Sequence, residues 1–89
     1  MWHSVVMDST PRYVRPLTDA EREALEAALR SPDAFVLRRA QIILANARGE
    51  RVSSIAPLVG FSGQAVRLVI HAFNRDGLDV LQQIGRAHV

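Results

Sequence analysis

The chain of 89 residues contains no cysteine and no lysine. Without thiols, neither a disulfide framework nor a thiolate metal site can supplement the core. No apolar run approaches the roughly 18 to 20 residues that cross a bilayer. The opening MWHSVVMDSTPRYVRPL lacks the charged start and long apolar middle of a signal peptide. These absences point to a cytoplasmic protein with no membrane partner. Catalytic groupings are missing as well: His3, His71 and His88 stand apart, with no nucleophile, phosphate loop or metal spacing beside them. No catalytic residue, metal, cofactor or small-molecule substrate is therefore expected.

What is present suffices for one small domain of three or four helices around a modest core. The net charge is only +2, but its layout is uneven. Between Asp19 and Asp33, five acids outnumber two arginines, for −3; from Ala34 to Arg75, six arginines (38, 39, 48, 51, 67 and 75) outnumber Glu50, for +5. A basic second half is the layout expected when one side of a protein meets phosphates. All eleven basic residues are arginine. Its planar fork suits phosphate and guanine, although a GC-rich genome would leave the same bias.

The stretch Ser53 to Arg75, SSIAPLVGFSGQAVRLVIHAFNR, organises the rest. Ile55 and Val59 mark the apolar face of one short helix. Val66, Val69, Ile70 and Phe73 recur at helical spacing in a second. Gly60 suits a left-handed helix end, where a Cβ is costly, and Ser62 suits the cap of the next helix. Ala56, four residues before Gly60, allows two crossing helices to approach closely. Helix, glycine turn and helix make the helix-turn-helix pattern. Opposite the apolar stripe lie Gln64, Arg67, His71 and Arg75, spaced to share one face. Gln can pair bidentately with adenine and Arg with guanine, so this face has the chemistry to read a major groove. Ser62 can offer its hydroxyl or N–H to a phosphate, and Leu68 either meets a thymine methyl or packs on a partner. Gly63 serves either a close backbone–phosphate approach or nothing in particular. With Arg51 and Ser53 at the start of the first helix, the expected DNA-contacting set is Arg51, Ser53, Ser62, Gly63, Gln64, Arg67, Leu68, His71 and Arg75. The plainer alternative is that this polar face is simply the wet side of an amphipathic helix.

Upstream, residues 1–16 read as a flexible, extended arm broken by two prolines. Arg12, Tyr13 and Arg15 would either lie along DNA or fray. Thr18-Asp19-Ala20-Glu21 forms a capping box, opening a helix to about Leu29 or Arg30 with Leu25, Ala28 and Leu29 inward. Ser31 as cap and Pro32 as first helical residue restart the chain. The second helix should run to Ala47 or Arg48 and stop at Gly49. Val36, Ala40, Ile43, Leu44 and Ala47 form its stripe, widened by Phe35 and Ile42, which places it mid-bundle. Arg38 and Arg39 either touch DNA backbone or pair with the acids of the first helix. Pro57, about four residues past a Ser53 cap, removes at most one hydrogen bond. Leu78-Asp79-Val80-Leu81 can cover the bundle's end. The expected fold is an all-α bundle of four to five helices, with residues 17–81 as its helix-turn-helix domain and 82–89 as a tail.

On RPLTDAEREALEAALRSPDAFVLRRAQIILANARG, followed by VSSIAPLVGFSGQAVRLVIHAFNRDGLDVL, the chain resembles the N-terminal DNA-binding domain of bacterial insertion-sequence transposases of the mariner superfamily. The resemblance covers about Arg15 to Gln82 and implies a homeodomain-like helix-turn-helix. It makes Ser62 to Asn74 the recognition helix, with Gln64, Arg67 and His71 reaching bases. It implies double-stranded DNA as partner, specifically the terminal inverted repeats of the element, and a place at the nucleoid. In that family a downstream RNase H-like domain, whose acidic residues hold magnesium ions, cuts and joins DNA. That domain and its acids are absent from this chain, so no transposition chemistry attaches to it.

Ile84-Gly85-Arg86-Ala87-His88-Val89 is what a common short-read sequencing adapter encodes in one frame (ATC GGA AGA GCA CAC GTC). Residues 84–89 are accordingly expected to be a non-biological tail on a fragment. Two other functions fit the same helices: a transcriptional regulator binding an operator, usually as a homodimer, and a helical protein–protein adaptor whose Arg67/His71 face is only solvated.

Overall fold

The computed structural model describes residues 13–83. Five helices follow in order: α1 (Asp19–Ala28), α2 (Ala34–Ala47), α3 (Val52–Val59), α4 (Gly63–Asp76) and, after a 3₁₀ turn at Gly77–Asp79, the single-turn α5 (Val80–Gln83). There is no strand among the described residues, and the expected all-α bundle is what forms. No single described helix is long and apolar enough to cross a membrane.

The capping box opens α1: the Thr18 hydroxyl accepts from the Glu21 N–H at 3.0 Å, and the Glu21 carboxylate accepts from the Thr18 N–H at 3.0 Å. Leu25 is buried, but Leu29, expected inward, is 39% exposed. The last turn closes with the Leu29 N–H donating to the Glu26 carbonyl, and Leu29 borders an open concavity shared with Leu44, Ile55 and Leu58, which leaves it partly exposed.

Asp33, not Ser31, caps α2. Its carboxylate accepts from the Phe35 N–H at 2.9 Å, while the Ser31 hydroxyl accepts from the Asp33 N–H at 3.0 Å. Two good capping residues compete here, and the later one wins, leaving Pro32 outside the helix. The helix packs against α1, α3, α4 and α5. Ala40 and Ile42 to Asn46 are consequently buried, Ile42 and Ile43 completely. At the ends burial fades: Phe35 is 57% exposed and Ala47 is also exposed, against the expected stripe. The helix stops, as read, before Gly49.

Arg51, rather than Ser53, is the N-cap of α3 and makes no side-chain cap. Pro57 therefore stands well inside α3, where its missing N–H deletes one bond that the Ser53 carbonyl would accept. Val52, Ile55, Ala56 and Val59 turn inward. Gly60 ends α3 in the left-handed region (φ 76°), and Ser62 caps α4 by accepting from the Ala65 N–H at 3.0 Å. Val66, Val69, Ile70 and Phe73 are all buried, and Val80 of α5 closes the bundle's end.

Of the expected arm, the described part is tied down. The Val14 N–H donates to Asn46 Oδ1 at 2.7 Å, the Arg15 N–H to Asn74 Oδ1 at 2.7 Å, and Asn74 Nδ2 to the Tyr13 carbonyl at 3.1 Å. The Arg15 guanidinium forks onto Glu21 with two 2.8 Å bonds and lies 4.6 Å from the centre of the Phe73 ring. Val14 and Leu17 pack against the core. Residues 13–17 thus form a strap across α2 and α4. Residues 1–12 of the arm, and the tail 84–89, lie outside the described residues.

Candidate nucleic-acid interface

Between Val52–Val59 and the segment Gly63–Gln82 the chain bends by 107°, within the range of helix-turn-helix motifs. Burial of the Val66/Val69/Ile70/Phe73 stripe fixes the roll of α4, and the opposite face is left to water. Gln64, Arg67, Leu68, His71 and Arg75 are all exposed, Leu68 to 62%. At about 100° per residue, Gln64, His71 and Arg75 fall within about 40° of one another. Arg67 stands off to one side of them and Leu68 to the other.

The two flanks border different concavities. Arg67 lines an open cleft of about 550 Å³ together with Tyr13, Arg51, Val52 and Ser53. This brings three of the expected residues to one place and adds Tyr13, delivered there by the strap. Leu68, His71 and Arg75 line a second concavity, of about 330 Å³, with Arg39 and Phe61 among its other walls. Ser62 and Gly63 stand at the start of α4. A Cβ built on Gly63 would meet only Val52 Cγ1 at 3.7 Å, an ordinary contact, so nothing inside the fold requires glycine there.

Several charges are already engaged. Asp76 Oδ2 accepts from Arg75 Nε at 3.0 Å and Nη2 at 2.8 Å, which raises the guanidinium's pKa and partly neutralises it. Arg38 donates through Nη1 to the Val59 carbonyl at 2.6 Å. It satisfies an orphan carbonyl at the end of α3 instead of pairing with an acid of α1. Arg39 differs: the residue is half-buried, and its Nε is the one buried side-chain polar atom among the described residues without a hydrogen-bond partner. Desolvation lowers its pKa.

Tyr13 and Arg39 each had two expected outcomes, Tyr13 along DNA or frayed and Arg39 on DNA backbone or paired with an acid of α1, and both stand at this surface; Phe61, a wall of the second concavity, was not foreseen there. Arg39 carried a signal, being a second consecutive arginine on a helix destined for the centre of the bundle. Tyr13 could be read only as part of an arm that lies along DNA or frays, because its place depends on two distant asparagines. No group of three or more His, Asp or Glu among the described residues is placed to hold a metal.

A short helix, a left-handed glycine and a capped second helix with an open polar face define a helix-turn-helix, which is a DNA-binding fold and not a catalytic one. Residues 33–82, more than half of the chain, match the homeodomain-like domain, and the chain belongs to that family. No curated protein and no solved structure matches it.

Proposed function

We propose that this chain recognises a specific double-stranded DNA sequence by seating α4 in a major groove. Gln64, Arg67 and His71 reach base edges, and Leu68 meets a thymine methyl. Ser62, Gly63, Arg51 and Ser53, with the free part of Arg75, approach the sugar–phosphate backbone and set the register. The observation that carries this reading is the gathering of Arg67, Arg51 and Ser53 around one open cleft beside the exposed face of α4. A merely solvated face has no reason to collect two arginines, one from α4 and one from the N-cap of α3, around one hollow.

At the finer level, we infer that the domain serves a transposase, binding the terminal inverted repeats of its own element at the nucleoid. The helical hairpin of α1 and α2 and the AFNRDGL ending support this through their resemblance to that family. Enrichment of binding sites from a random duplex library is the test. A defined motif should emerge, and Arg67→Ala should cost about 1–3 kcal/mol and relax preference at one base pair. Binding that is indifferent to sequence before and after the change would reduce the interface to backbone contact. A complex insensitive to salt would favour the adaptor instead. Two spaced half-sites occupied by two copies would favour the regulator.

A further inference from the structure

We infer that the hollow between α2 and α4, walled by Arg39, Phe61, Leu68, His71 and Arg75, is a second phosphate seat. It takes the backbone of the duplex on the side of α4 away from Arg51 and Ser53. The inference rests on the reading of α4 as a groove-binding helix and extends it to a residue on α2.

The first support is an unmet demand. A guanidinium carries five N–H donors and no acceptor. Removing it from water without a partner costs free energy that a hydrogen-bonding anion can offset. Arg39 is in that position: half-buried, its Nε unpartnered, with no acidic residue among the walls of its hollow. Arg38, its neighbour in sequence, bonds to the Val59 carbonyl, so of this adjacent pair only Arg39 keeps a buried nitrogen without a partner.

The second support is placement. A helix with side chains is about 10–12 Å across, and the major groove is about 12 Å wide. A helix lying in the groove therefore has a phosphodiester strand on either hand. The exposed face of α4 is bordered on the Arg67 side by the cleft of Arg51 and Ser53, and on the Leu68 side by the Arg39 hollow. An arginine stands at each border, Arg51 from the N-cap of α3 and Arg39 from α2. Arg75 and His71 line the Arg39 hollow too, and the one acid bonded there, Asp76, is held by Arg75. A protein carboxylate would offer the same acceptor chemistry, but it has no reason to arrive beside the groove-facing residues, whereas a duplex admitted by Gln64 and Arg67 brings its phosphates there.

The test compares wild type, Arg39→Gln and Arg67→Ala on one fixed 20-base-pair duplex across a salt series, with circular dichroism to verify folding. Arg39→Gln should flatten the slope of log K against log[salt] by about 0.9, the loss of one phosphate contact, and leave base preference in a site-selection experiment unchanged. Arg39→Lys should keep most of the slope while losing affinity. A second measurement needs no duplex: the Arg39 Nε–Hε NMR signal should move on titration with inorganic phosphate. An unchanged slope for folded Arg39→Gln, while Arg67→Ala still alters base preference, overturns this inference and leaves the reading of α4 standing. Movement of the Nε–Hε signal with inorganic phosphate alongside an unchanged slope also overturns it, marking a free-anion site. Wild type without salt-dependent duplex binding defeats both.

Discussion

Glu21→Gln isolates the ion pair that pins the strap. The variant keeps an oxygen able to accept from the Thr18 N–H, so the capping box survives while the charge opposite Arg15 is lost. In the folded chain the hydrogen bonds from the Arg15 guanidinium, followed by that from the Thr18 backbone, lower the Glu21 pKa from 4.5 to about 2. At ~1.36 kcal/mol per tenfold change in acidity, that is a ceiling of about 3.4 kcal/mol. The Arg15 side chain is 37% exposed and the Glu21 side chain 15%, so water screens much of it. An expected cost of about 1–2 kcal/mol follows. For a domain this small, roughly 5–12 °C should be lost from the melting temperature. The sign with pH follows from a carboxyl that is more acidic when folded. Its contribution is complete above pH ~4.5 and disappears as pH falls toward 2. Melting both proteins at pH 7, 4 and 2 should show a gap that is full at the first, reduced at the second and nearly closed at the third. A gap that stays constant down to pH 2 would show that the loss comes from packing or helix propensity and would refute the ion-pair account.

Gly60→Ala should cost about 1 kcal/mol, because the new Cβ meets only Arg38 Nη1, at 3.8 Å, leaving the left-handed φ of 76° as the whole penalty. Chemical denaturation would check this, with Gly60→Asn expected to lose less; equal losses would contradict the backbone explanation. Asn46→Ala should be the more severe change, about 2–4 kcal/mol. Asn46 is 1% exposed, accepts from the Val14 N–H and donates to the Glu50 carbonyl at 2.9 Å, so its loss strands both groups. Hydrogen exchange should show the Val14 amide losing protection in that variant, and retained protection would mean that another acceptor holds the strap.

Much of this was legible in the chain because the signals were local. Gly60 and Ser62 announce a helix end and a helix start within three positions, and the Val66/Val69/Ile70/Phe73 period fixes the roll of α4 with no knowledge of its neighbours. The Thr18/Glu21 box is equally local. What escaped depended on distance or competition. The strap has a proline and no period, and its bonds span 32 positions to Asn46 and 59 to Asn74. Ser31 has the chemistry of a cap and was read as one, but Asp33, two residues on, caps α2 instead. Phe35 and Ala47 belong to the apolar pattern of α2 but extend past the neighbours that bury its middle. The same holds for Arg38 and Arg39: adjacent letters with the same charge, one bound to a carbonyl across the turn and one left without a partner.

One amide group, that of Asn74, grips both sides of the strap, accepting from the Arg15 N–H and donating to the Tyr13 carbonyl. It works as an index pin for α4. Rolling that helix by one residue, about 100°, would carry the pin out of reach and release both bonds together. The angle at which Gln64 and Arg67 face outward is therefore gauged from the opposite end of the sequence as well as by the apolar stripe beneath them.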